Sequence, residues 1–380
     1  MSKRILGILL VIVGLGACAP EAEDEAEEAP MDLGEFLAGE DEGERYARIT
    51  GPEPLSFPAD HGPHPEYRHE WWYVTGNLET PEGRHFGFQV TFFRFNLDPE
   101  APERDGAWAT RQSWMAHLAL TDTEGERFHH AERFGRGAAG IAGARAEPFA
   151  VWLEDWSLES VGEATWPARL RGEADDFAID LEINPERRRT LQGEAGYSRK
   201  GPGEGNASRY YSYTRMVAEG AVRSGEEQFP VRGRAWMDRE WGSSALAEDQ
   251  QGWDWFALQL DDGSDLMLYR IRASDGGMDP HSKGVLVHED GRRVFLDADQ
   301  VDLEVLDTWE SPEGRRYPVA WDLRIPEQDL ALEVQPRMRA QEITGAFNYW
   351  EGAVHGRGHH GDTEVSFQGY LELSGYDGDR

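Results

Sequence analysis

The sequence predicts an all-β protein built from two successive β units, on three observations. Aromatic and β-branched runs recur about every ten residues, Gly and Pro punctuate them, and no run of ten or more residues keeps a helical period. The 43 Gly and 20 Pro suit a turn-rich β fold, and the 14 Trp belong to a folded chain, not a disordered one. At 380 residues the chain supports a large core and more naturally two domains than one.

The chain opens on a targeting segment. Lys3 and Arg4 form a basic start, and Ile5 to Val13 is apolar but too short to span a bilayer. Leu15-Gly16-Ala17-Cys18 resembles a bacterial lipobox. Cys18 is the only cysteine, which leaves no disulfide framework and no thiolate metal site. It reads as the lipidated first residue after a signal peptide over 1–17, and Ala19 in place of an aspartate points to outer-membrane sorting. Glu21 to Pro30 is almost entirely Glu, Asp, Ala and Pro, which cannot form a core, so 18–45 is expected to be a solvated tether. The expectation is a lipid-anchored protein of the cell envelope, on the periplasmic face of the outer membrane, touching the membrane through its anchor alone.

Strand-like runs follow in order. His69 to Leu78 and His85 to Asn96 flank the turn Thr80-Pro81-Glu82-Gly83, and Gln112 to Thr121 alternates. Phe149 to Leu158, Ala168 to Gly172 and Phe177 to Ile183 continue the series. A second series begins at Tyr210 to Met216 and Val231 to Met237. It continues through Trp253 to Leu260 and Leu266 to Arg272, and ends at Tyr349 to His355 and Val365 to Leu373. The division is placed at 46–235 and 236–378.

Charge excludes one class of partner. The formal net charge of −34 argues against nucleic acid, which needs a basic footprint. Lysine is nearly absent (Lys3, Lys200 and Lys283), so arginine carries the positive charge, and such an acidic surface suits a salty medium.

Three acid–tryptophan clusters carry the chemistry: His69-Glu70-Trp71-Trp72-Tyr73, Asp238-Arg239-Glu240-Trp241-Gly242 and Tyr349-Trp350-Glu351-Gly352. Strand aromatics are ordinarily core and their acidic neighbours ordinarily face water. Recurrence of the pairing points instead to one pocket, where an apolar wall raises a carboxyl pKa and makes a proton donor. Alternation sets Glu70, Trp72 and Val74 against His69, Trp71 and Tyr73, and Asp238 with Glu240 against Arg239 and Trp241. No metal is expected. His69-Glu70 lacks the second histidine of a zincin motif, because position 73 is Tyr73. No nucleophile elbow or phosphate loop is present, and no cofactor is expected.

These clusters, with Trp236-Met237 ahead of the second and the closing Gly369-Tyr370-Leu371-Glu372-Leu373-Ser374-Gly375-Tyr376, resemble the hydroxyneurosporene synthase family. That family comprises carotenoid 1,2-hydratases and AttH-like proteins. The resemblance covers roughly residues 55 to 377 and implies two tandem lipocalin-like β-barrel domains. It implies either cofactor-free addition of water to an isoprenoid double bond or, in the AttH-like branch that the lipobox favours, an envelope component found beside ABC transporters.

The leading expectation is a lipoprotein binding a long apolar ligand, a lipid or isoprenoid. The ligand would lie in a barrel or between the domains, lined by Trp71, Trp72, Tyr73, Trp241, Trp255, Tyr349 and Trp350, with an ABC transporter permease as partner. The alternative is a hydratase in which Asp238 or Glu240 protonates the alkene and Glu70 or Glu351 serves as base. A third expectation is a scaffold with solid cores and no ligand.

Overall fold

The computed structural model describes residues 31–32, 45–100, 106, 108–244, 246, 247 and 249–376. The signal peptide, Cys18 and nearly all of the acidic tether lie outside the described residues.

Twenty strands of four residues or more form two antiparallel sheets. The first sheet holds β1 (His69–Glu79), β2 (His85–Asn96), β3 (Gln112–Asp122), β4 (Arg127–Arg136), β5 (Ala142–Arg145), β6 (Ala150–Leu153), β7 (Trp156–Ser160), β8 (Ala168–Glu173), β9 (Phe177–Pro185), β10 (Ala207–Ser224) and β11 (Glu227–Gly242). Its order is β4-β3-β2-β1-β11-β10-β9-β8-β7-β6-β5. The second sheet holds β12 (Gln250–Leu260), β13 (Asp265–Ala273), β14 (Lys283–Val287), β15 (Arg293–Asp297), β16 (Asp302–Glu310), β17 (Arg316–Ile325), β18 (Leu330–Pro336), β19 (Phe347–His360) and β20 (Thr363–Leu373). Its order is β15-β14-β13-β12-β20-β19-β18-β17-β16. The fold is all-β, two lipocalin-like units in tandem. The expected division at 235/236 falls inside β11, which stays paired to β1 and β10 as far as Gly242.

Each sheet curls around its own core. Trp72, Val74, Leu78, Phe88, Trp156 and Met237 fill the first, and Phe256, Leu258, Trp321, Trp350 and Leu371 fill the second. Both interiors are therefore packed with side chains. A third apolar layer lies between the sheets, where Tyr73, Tyr210 and Trp236 meet Trp255, Met267 and Tyr370. This layer explains why β1 and β12 are apolar on both faces. One face serves the strand's own core and the other packs against the opposite sheet.

Three local departures from the expected strands have physical reasons. Phe149 to Leu158 is two strands, because Glu154 takes a left-handed turn (φ 57°) between β6 and β7. β4 was not expected, because its sequence does not alternate and only His129 is buried along it. β10 extends well beyond Met216, and a bulge there sets Thr214 and Arg215 opposite the single residue Trp236. Both bulged side chains reach Asp265 of the second sheet: Thr214 Oγ1 donates at 2.8 Å and Arg215 Nη2 at 2.6 Å.

Candidate functional site

A pocket opens between the sheets and encloses about 830 Å³ including its mouth. β1 supplies His69, Trp71 and Tyr73, and β2 supplies Thr91 and Phe93. β10 and β11 supply Ser208, Tyr210, Asp238 and Glu240. From the second sheet come Trp253, Trp255, Tyr269, Ile271 and Glu372, and Lys200 enters from the loop before β10. The walls are thus mainly aromatic, with a few polar groups converging on them.

Three carboxyls face this space: the buried Asp238 and Glu240 from the first sheet and the half-buried Glu372 from the second. Burial pushes Asp238 up to about 7, and the adjacent Glu240 adds to the rise. Hydrogen bonds from Ser212, Tyr210 and Trp236 act against it. Trp236 Nε1 donates to Asp238 Oδ1 at 2.7 Å, Tyr210 donates to Oδ2, and Trp255 Nε1 donates to the Tyr210 hydroxyl at 3.2 Å. Burial likewise pushes Glu372 up to about 7. Its Oε1 accepts from Trp253 Nε1 at 2.5 Å, and the charges of Asp238 and Glu240 disfavour its ionisation further. Glu240 is engaged differently: Ser208 donates to it and Lys200 Nζ lies 3.0 Å away. Burial opposes the Lys200 charge, but Glu240, Tyr269 and Asp238 together outweigh it and raise the ammonium pKa. Burial pushes His69 down to about 3, so its ring is neutral.

The structure brings together Asp238, Glu240, Trp71, Tyr73 and Trp255 from the residues singled out in the sequence. The others lie elsewhere. Glu70 points into the first core, where it pairs with both Arg94 and Arg239 and accepts the His64 backbone N–H at 3.1 Å. Burial opposes its ionisation, but the two guanidinium groups prevail and hold the carboxyl well below the usual range. It is a structural anion, not a base facing the pocket. Trp72 and Trp241 flank the same cation, with the Arg239 guanidinium 3.9 Å and 4.9 Å from their rings, and both belong to the first core. Trp350 sits in the second core and donates to Arg339 O at 2.7 Å. Tyr349 lies between the sheets outside the pocket wall, its hydroxyl 2.6 Å from His117 Nδ1. Glu351 lies behind the pocket, accepting from the Tyr73 hydroxyl, and burial raises its pKa well above the ordinary value.

Sequence reasoning missed Lys200, Glu372, Tyr210, Trp253 and Tyr269. Two of these carried a signal. Lys200 is one of three lysines, and Glu372 stands between Leu371 and Leu373 in the closing segment that carries the family resemblance. Among the described residues no three His, Cys, Asp or Glu side chains are arranged to hold a metal ion.

Fold and site together define a tandem lipocalin-type protein with a carboxyl-bearing aromatic pocket between its two sheets. Residues 48–376 match the family described as AttH-like, and the chain belongs to that family. A curated relative, the dehydratase asqC of Emericella nidulans, is 22% identical over 215 residues, covering 54% of this chain and 56% of that protein. The chain thus spans about half the length of the curated relative it matches. The solved structure of an AttH from Nitrosomonas europaea is 35% identical, covers 87% of this chain and 99% of its own, and superposes with a TM-score of 0.76. Kievitone hydratase from Nectria haematococca shares the fold at 15% identity, with 88% and 98% coverage and a TM-score of 0.67.

Proposed function

We propose that the pocket binds an apolar ligand and adds water to, or removes it from, a carbon–carbon double bond, with no redox step. The observation that carries this is the pair Asp238 and Glu372, one from each sheet and each near 7 in an aromatic-walled space. The Asp238 charge disfavours ionisation of Glu372, so near neutral pH states with one carboxyl protonated and the other ionised are populated. One member is then an acid and the other a base. In hydration the acid gives its proton to an alkene carbon, and the carbocation lies against aromatic faces such as Trp255 and Tyr210. Water bonds to the cation, its proton passes to the partner carboxylate, and the pair again holds one proton. The dehydratase relative supports a reaction of this class.

The same reading keeps the expected setting. Tethering through Cys18 would hold the pocket at a membrane surface, where apolar ligands reside, with a transporter permease as the envelope partner.

The test is incubation of the purified chain with acyclic isoprenoids in ¹⁸O-water, followed by mass spectrometry. A product heavier by one labelled water is expected, with turnover lost in Asp238→Asn and in Glu372→Gln while ligand still binds. Ligand recovered unconverted from the wild-type protein would leave a binding protein without this chemistry. Activity should be bell-shaped in pH and fall above about 7, where both carboxyls are ionised and no acid remains.

A further inference from the structure

Among the described residues, Lys200 is the only one lining the pocket with a fixed positive charge. Its ammonium lies 3.0 Å from Glu240 Oε1, 3.9 Å from the Tyr269 ring centre and 5.0 Å from that of Tyr210. The loop carrying it is fastened at both backbone groups: its N–H donates to Asn206 O at 2.9 Å, and its carbonyl accepts from Gln250 Nε2 at 2.8 Å. The side chain is only 12% exposed, and it lines the pocket.

An ammonium has three N–H donors. Among the described residues Glu240 supplies the one carboxylate oxygen within ion-pair distance. The two tyrosine faces attract the charge but accept no conventional hydrogen bond. Donor capacity is therefore left to face the pocket space, where covering it without a hydrogen bond would be costly. A ligand made only of hydrocarbon would seal that donor away from water. A ligand with an oxygen at the right end would satisfy it.

We propose that the ligand of this pocket carries a neutral oxygen acceptor, a carbonyl or an ether, that accepts a hydrogen bond from Lys200. Its hydrocarbon part lies along Trp71, Phe93, Trp253 and Trp255. A neutral acceptor fits better than a carboxylate, because Glu240 already balances the Lys200 charge. The inference rests on reading this pocket as a ligand site, and it narrows the ligand from pure hydrocarbon to an oxygenated apolar molecule.

The test uses two probes of the same carbon skeleton that hold no isolated double bond to hydrate, butylbenzene and butyrophenone, in which a carbonyl replaces the methylene next to the ring. Each displaces the neutral fluorophore N-phenyl-1-naphthylamine from the purified full chain. A pocket indifferent to oxygen ranks the more apolar butylbenzene first. The wild-type protein is expected to rank butyrophenone first. Lys200→Met should weaken the ketone by about tenfold or more and reverse the order, whereas Lys200→Arg, which keeps the donors, should preserve it. Butylbenzene ranking first in the wild type, or an unchanged order in Lys200→Met, overturns the proposal. The wild-type ranking decides even if the methionine variant does not fold. Butylbenzene displacing the probe while the ketone fails removes this inference and leaves the pocket a ligand site; failure of both removes the functional reading as well. Absent hydration with the ketone preference intact removes only the chemistry.

Discussion

Asp238 and Glu70 lie on neighbouring strands of one sheet and are both buried, yet their surroundings drive them in opposite directions. Asp238 has hydrogen bonds but no cation of its own, so burial raises it to about 7. Glu70 has Arg94 and Arg239, and they hold it ionised. The consequences for stability have opposite signs. A carboxyl raised in the folded state stabilises fully below its unfolded pKa, and that contribution is lost as pH rises through the folded value. A carboxyl lowered in the folded state contributes above its unfolded pKa and loses that contribution only in acid. The stabilisation from Asp238 and Glu372 should therefore fall as pH rises from about 4 to about 7, against the opposite trend of the buried His61, His69 and His85. Each raised group adds at most about 1.4 kcal/mol per pH unit to this fall between its unfolded pKa, about 4, and its folded value of about 7, and nothing beyond it. Asp238→Asn and Glu372→Gln should each flatten this fall in thermal melts across that range. Glu70→Gln should leave the fall in place and instead cost about 3–5 kcal/mol at neutral pH, because it strands two buried guanidinium groups.

The bulge in β10 fastens one unit to the other beside the apolar layer between the sheets. Thr214, Arg215 and, from the preceding loop, Arg187 all converge on the buried Asp265 carboxylate, and Arg215 also donates to Leu260 O and Ser264 O at 2.9 and 3.0 Å. Arg215→Met should cost about 3–5 kcal/mol and separate urea unfolding into two transitions, read by tryptophan fluorescence. Single unfolding at an unchanged midpoint would show that the apolar layer alone joins the sheets. Much of this level was legible in the sequence, because strand spacing and turn residues act locally. The β11 alternation also placed Asp238 and Glu240 on one face. Glu70 was not legible in the same way, since its direction follows from Arg94 and Arg239 on other strands. In β1, apolar residues occupy both faces, so period alone does not distinguish Trp71 of the pocket from Trp72 of the core.

For the molecule as a whole, the excess of acid over base is a standing load. A formal charge of −34 repels itself, and salt screens that repulsion over a Debye length of about 10 Å at 0.1 M. The denaturation midpoint should rise as salt goes from low concentration to about 1 M, measured by chemical melts at fixed pH. A flat response would place the repulsion below other terms. The site belongs to this scale too. Its second carboxyl comes from β20, more than a hundred residues from Asp238, and sequence reasoning, which paired acids within clusters, had no physical signal joining the two.

β11 carries a message in each of its two faces. Its odd positions, Met237, Arg239 and Trp241, build the first core, and its even positions, Asp238 and Glu240, furnish the pocket. Chemistry and folding are therefore written in the same short text and kept apart only by reading frame. Substitution can revise either face without disturbing the other. A one-residue insertion would exchange them, turning Asp238 into the core and Arg239 toward the ligand. This strand is free to vary in spelling but not in length.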